Sequence, residues 1–177
     1  MENREKDWII SFYKRLALST SDMVSSKLKL NFDMKSLEYV EGEYSDFEKI
    51  LPPFAYIAIY QYLKRGVLLS VDPRIIYILS NRMLGGKGEI EKKPKPKFTF
   101  SEDFFGKEFI SWFSYYYEEN ELPLKYLRIE NSVDHTHYFF PDDPVVLAKL
   151  NCSINKKEIG SIVFCHPKSF LDLGRTA

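Results

Sequence analysis

Cysteine is scarce. Cys152 and Cys165 are the only two in 177 residues, too few for a disulfide framework, and isolated thiols of this kind suit a reducing cytosol. Net charge of one sign is absent as well: 25 basic and 25 acidic residues cancel, so no global field draws nucleic acid or a membrane surface. No apolar run approaches the roughly 18 residues that cross a bilayer. The opening "MENREKDWII" sets acids ahead of its apolar stretch and has no small-residue cleavage site, unlike a secretory signal. The "NCS" at 151–153 fits a glycosylation acceptor, which a cytosolic chain leaves idle. These absences lead to the expectation of a soluble cytoplasmic protein. What is abundant is apolar mass, 45% of residues with 16% aromatic, ample for the packed interior of one domain over 1–177.

Periodicity divides that mass into elements. From Trp8, residues Ile9, Phe12, Tyr13, Leu16, Met23 and Val24 recur at helical spacing. "LKLNFDMKSLEYV" from Leu28 alternates as a strand, and "EYSDFEKILPP" predicts a short helix capped by Ser45. "AYIAIYQYL" and "GVLLSV" predict strands joined by a turn at "KRG". Asp72-Pro73 predicts a capped helix start, with Gly85 ending that helix in the left-handed conformation. Thr99 and Glu102 have capping-box spacing ahead of a helix with Phe105, Phe109, Trp112, Phe113 and Tyr116 on one face. "LKYLRIENSV", "VVLAKLNCSI" and "GSIVFC" predict three more strands, and "HPKSFLDL" a short closing helix.

The second half echoes the first. "GVLLSVDP" at 66–73 lies over "GSIVFCHP" at 160–167, an offset of 94. The same shift carries the helix start near Asp7 onto Ser101 and the strand at Leu28 onto Leu122. The expected fold is therefore a pseudo-twofold α/β domain of two helix–strand–strand–strand–helix halves. The halves run over about 7–85 and about 99–173, with a linker at 86–98 whose "KPKPK" is extended and solvated.

The glycine cluster "LGGKG" at 84–88 is the sharpest local feature, and phosphate chemistry does not explain it. A P-loop needs a hydroxyl after its lysine, and Lys87 is followed by Gly88. A dinucleotide loop precedes its helix, whereas these glycines follow one, at the end carrying partial negative charge. His135 and His137, two apart, would share one face of a strand; with Cys152, Cys165 or His166 they are a weak zinc candidate without metal-site spacing. Both cysteines fall on apolar strands, where a buried inert thiol is the usual outcome. No residue set predicts catalysis, a cofactor, a metal or a small-molecule substrate. The glycines instead leave backbone open for another protein to approach.

"YSDFEKILPP" at 44–53, "LLSVDPRIIYILSNRMLGGKGE" at 68–89 and "FFPDDPVVLAKLNCSINKKEIGSIVFCHPKSFL" at 139–171 resemble the middle domain of the flagellar motor switch protein FliM, over nearly the whole chain. The resemblance implies the pseudo-twofold α/β/α fold shared with CheC and CheX phosphatases, and a non-enzymatic part of the switch ring at the cytoplasmic face of the inner membrane. It implies that Gly85, Gly86, Lys87 and Gly88 form a loop docking on the middle domain of FliG. It further implies that the N-terminal helix contributes to lateral packing with like copies. The family's N-terminal CheY-binding peptide and its C-terminal FliN-like domain are not matched, so contact with CheY or FliN is expected to be indirect. A CheC-like phosphatase, the alternative enzyme, presents Glu and Asn three apart on a helix. Here Glu108 is followed by Ser111, so phosphatase chemistry is not expected. An adaptor on the same fold, using the glycine loop for another partner, is the third reading.

Overall fold

The computed structural model describes residues 2–89 and 92–176. Six strands form one fully antiparallel sheet: β1 (Phe32–Glu43), β2 (Tyr56–Tyr62), β3 (Arg65–Val71), β4 (Leu124–Glu130), β5 (Pro144–Ile154) and β6 (Lys157–Pro167), in the order β1-β5-β6-β3-β2-β4. The helices are α1 (Glu2–Leu28), α2 (Tyr44–Ile50), α3 (Pro73–Met83), α4 (Phe100–Glu119) and the C-terminal turn α5 (Leu173–Thr176). Single 3-10 turns lie at Val133–His135 and Lys168–Asp172.

The central strands are buried on both faces, and their alternation assigns each residue to a layer. Tyr56, Ala58, Tyr60 and Tyr62 of β2 point into the larger core, with α1, α3 and α4. Ile57 and Ile59 point the other way, onto Phe47 of α2 and the segment around Val133 and Tyr138. The sandwich is thus a thick helical layer, the sheet, and a thin second layer.

The internal echo survives in three dimensions. Exchanging β1 with β4, β2 with β5 and β3 with β6 leaves the strand order unchanged. At the centre Leu68 pairs with Cys165 and Val71 with Ile162, so the 94-residue shift turns each pair into the other. The helices agree too. The buried stripe Ile9, Phe12, Tyr13, Leu16, Ala17, Thr20 and Val24 has its counterpart 93 positions on, in Glu102, Phe105, Gly106, Phe109, Ile110, Phe113 and Tyr117.

Several boundaries differ from the sequence reading. Leu28 is buried as the last residue of α1, and the strand begins four residues later at Phe32. The cap of α2 is Glu43 rather than Ser45. Backbone carbonyls of Asp143 and Pro141 already take the first helical N–H groups at 2.9 Å each, while Asp46 Oδ2 accepts from Glu43 N–H. The β2–β3 turn is Leu63 and Lys64, because Arg65 and Gly66 are already paired. His166 and Pro167 end β6 rather than start a helix. The Asp72 cap, the Thr99–Glu102 capping box and the left-handed Gly85 (φ 94°) all form as expected.

β1 is an edge strand, and α1 closes part of it. Ser25 Oγ exchanges hydrogen bonds with the backbone of Phe32, and Ser21 Oγ accepts from Met34 N–H at 3.0 Å. Two serines on a helix so do the work of a neighbouring strand, blunting an edge that invites unwanted pairing. Ser21→Ala orphans a buried N–H, and urea unfolding is expected to read a loss of about 1–2 kcal/mol. Ser26→Ala, on the exposed side of the same helix, is expected to read no loss.

Candidate functional site

α3 delivers the glycine loop. Asp72 Oδ1 accepts from Arg74 N–H at 2.9 Å and Pro73 occupies the first turn, so the helix starts at a defined point. At its other end Gly85 N–H bonds Arg82 C=O and Gly86 N–H bonds Asn81 C=O, at 3.1 and 2.9 Å. These are the paired 5→2 and 6→1 bonds of a Schellman motif, which places Gly85 in the left-handed region.

The remaining glycines wrap around one side chain. A Cβ on Gly86 would lie 2.3 Å from Asn81 Oδ1, and that same oxygen accepts from Gly88 N–H at 3.1 Å. Gly88 itself has φ of 73°. Arg82 then bolts the loop to the end of α1: Nη1 donates to Gly86 C=O, Nε to Leu28 C=O at 2.8 Å and Nη2 to Lys29 C=O at 3.1 Å. Gly86 and Gly88 therefore have internal conformational reasons in addition to any partner's needs.

What the loop presents is apolar and open. Leu84 is 69% exposed and Met83 41%. A Cβ added at Gly85 would meet nothing within 4 Å, and Lys87 is exposed. Sequence alone assigns no role to Asn81 or Arg82, and it marks Leu84 only as the first residue of the "LGGKG" cluster. The available signal was a polar pair in the last turn of a helix that otherwise buries Ile75, Ile76 and Leu79.

Part of the expected linker, residues 90 and 91, lies outside the described residues; residues 93–97 are exposed, yet the segment is anchored. Lys92 pairs with Glu102 at 2.7 Å and its ammonium lies 4.7 Å from the centre of the Tyr77 ring. Tyr77 also accepts a hydrogen bond from Lys95 N–H through its hydroxyl. Burial raises the pKa of Glu102, but hydrogen bonds from Lys92 and Thr99 outweigh it and the net shift is downward. Lys92 is thus part of the fold rather than a solvating residue.

The other sequence candidates do not assemble. His135 lies on a 3-10 turn and His137 in the loop after it, rather than on one strand face, and His135 Nδ1 is 3.9 Å from Glu130. Among the described residues no three His, Cys, Asp or Glu side chains converge as a metal ion requires. Cys152 and Cys165 are buried, and burial pushes both thiols up, away from the reactive thiolate. Ser111 Oγ donates to Glu108 C=O on the same helix, so its hydroxyl is tied to backbone. Among the described residues no helix is long and apolar enough to cross a membrane.

The flagellar motor switch protein FliM family matches residues 6–173. The chain belongs to the FliM family. That makes it a component of the flagellar motor switch rather than an enzyme. Among solved structures, it is similar to the FliM middle domain of H. pylori, with a TM-score of 0.77 at 15% identity, covering 99% of this chain and 98% of that one. A chain of the FliG–FliM complex from H. pylori also reaches 0.77, at 18% identity over 95% of this chain and 97% of that one. Thermotoga maritima FliY gives 0.73 at 13% identity, with 97% and 94% covered. At these identities the likenesses establish the fold. Compared with curated protein sequences, the chain matches none. The FliM assignment agrees with the motif blocks, of which the segment from Asp72 to Gly88 is the most distinctive.

Proposed function

We propose that this FliM-family chain docks FliG through the loop at residues 85–88, and that Leu84 is the apolar anchor of that contact. The observation carrying this reading is the combination of a loop held by Asn81 and Arg82 with Leu84 and Gly85 standing free at its tip. A rigid loop loses little entropy on binding, and an exposed leucine offers apolar area to a partner pocket. A FliG–FliM complex from H. pylori has the same fold in one of its chains, which supports FliG as the partner. In this reading the domain sits in the switch complex at the cytoplasmic face of the inner membrane and contributes to rotation switching.

Lateral packing between copies belongs to the same proposal. It is supported by large apolar side chains left exposed on the helical layer, Leu18 on α1 together with Phe100 and Phe104 on α4.

The docking surface is tested by titrating the chain with the middle domain of FliG in a calorimeter. Leu84→Asp is expected to weaken binding roughly tenfold or more with an unchanged circular dichroism spectrum, since the side chain it replaces supports no core contact. Wild-type affinity in Leu84→Asp would remove the loop from the interface. A bulky residue at Gly86 is a poorer probe, because it displaces Asn81 before it meets any partner.

A further inference from the structure

A shallow crevice of about 510 Å³ lies beside the glycine loop, where the end of α1, the loop and the β5–β6 turn meet. Its lining includes the cations Lys29, Arg82 and Lys87 with the amides Asn31 and Asn155, and no carboxylate among the described residues. For a chain with as many acids as bases this is a local separation of charge. The next residue of the turn, Lys156, is exposed and adds to it.

The carbonyls that would offset this charge are engaged. A helix C-terminus carries partial negative charge, but at the end of α1 Arg82 already offsets it by donating to the Leu28 and Lys29 carbonyls. Among the described residues, neither Lys29 nor Lys87 has a carboxylate within ion-pair distance. Among the described residues these two ammonium groups are unpaired, and they flank amide side chains that can donate further hydrogen bonds.

We infer that this crevice receives an acidic side chain of the protein that docks on the glycine loop, held between Lys29 and Lys87. The inference rests on the docking reading above and adds its chemistry: Leu84 supplies apolar contact, and the crevice supplies charge selection and orientation. A protein carboxylate fits better than a free anion, because the crevice is shallow and continuous with Lys87 at the loop tip, so a group reaching it arrives attached to whatever covers Leu84. Rim charges of this kind act chiefly on association rate and on discrimination between partners.

The test is calorimetric and stopped-flow titration of the chain with FliG middle domain at low and raised sodium chloride. The proteins compared are the wild type, Lys29→Ala/Lys87→Ala, Lys87→Glu, Leu84→Asp, and a control Lys14→Ala/Arg15→Ala on the exposed side of α1. The double crevice variant is expected to bind roughly tenfold more weakly at low salt, to associate more slowly and to lose most of the wild type's salt dependence. Lys87→Glu is expected to bind more weakly still, and the control to match the wild type. Wild-type affinity and salt slope in the double variant, with Leu84→Asp binding lost, would overturn the charge assignment and leave loop docking standing. Unchanged binding by Leu84→Asp would overturn both.

Discussion

Replacing Gly106 with valine is expected to destabilise the domain by about 3 kcal/mol, although standard helix reasoning forecasts a gain. Glycine inside a helix is about 1 kcal/mol less favourable than alanine, so α4 read by propensity alone asks for a substitution there. The fold forbids it. A Cβ at Gly106 would stand 2.4 Å from Cζ of Tyr56 and 2.8 Å from both adjacent ring carbons. That ring has nowhere to go: Tyr56 is fully buried on β2, its hydroxyl donates towards Asp103 C=O and Oδ1 at 3.2 and 3.1 Å, and Phe98 meets its ring edge-on. Urea denaturation of Gly106→Ala, Gly106→Val, Tyr56→Leu and the double variants checks this. The Gly106 penalty should shrink when the tyrosine ring is removed, and additive costs would show that the two do not meet.

The symmetry-related position makes the second large prediction. Where α4 has Gly106, α1 has Tyr13, and its hydroxyl reaches a fully buried His166. The Val146 carbonyl faces Nδ1 at 3.3 Å, and a carbonyl only accepts, so Nδ1 carries the proton. Nε2 then accepts from Tyr13, which stands 3.0 Å from the Tyr117 hydroxyl. The chain of hydrogen bonds requires neutral imidazole, and burial pushes His166 down to about 3 from its ordinary 6.5. Between those values the unfolded chain binds more protons than the native one, so stability is intact above pH 6.5 and falls as pH drops towards 3. The slope is about 1.4 kcal/mol per pH unit, giving about 3 kcal/mol by about pH 4. His166→Gln should be less stable than wild type at pH 7, and that difference should shrink by about this amount at pH 4, because only in wild type does the unfolded chain gain a proton that the native ring refuses. A stability difference that stays constant with pH would mean that His166 titrates normally in the native state.

These two sites illustrate what could be read in advance. The apolar stripes of α1 and α4, the strands flanking Ala55 to Val71, the Asp72 and Thr99 caps and the Gly85 terminus were all legible, because each depends on residues within one or two turns of one another. The 94-residue echo was legible for a related reason: matched halves keep matched local patterns even after their side chains diverge. The FliM motifs were legible on the same terms.

The glycine loop shows where that legibility stopped. Its position after a helix excluded phosphate binding, and the resemblance indicated a docking loop. That Gly86 and Gly88 wrap around Asn81, and that Arg82 reaches α1, could not be read, since the Arg82–Leu28 contact spans 54 positions. The same limit hid the Lys92–Glu102 anchor of the linker and the two serines closing the β1 edge. Likewise, the helical pattern alone does not tell that Leu84 stands 69% exposed rather than joining the apolar face of α3.

Sequence by itself determined the elements, their duplication and the family of this chain, because helix and strand periodicity, capping and turn chemistry act over a few residues. Tertiary structure alone decided which glycines make room for a neighbour, which histidine is held neutral and which leucine faces outward. Those outcomes depend on what the opposite half of the sheet and its helices bring to each position, and burial and distance there arise only when the chain closes on itself.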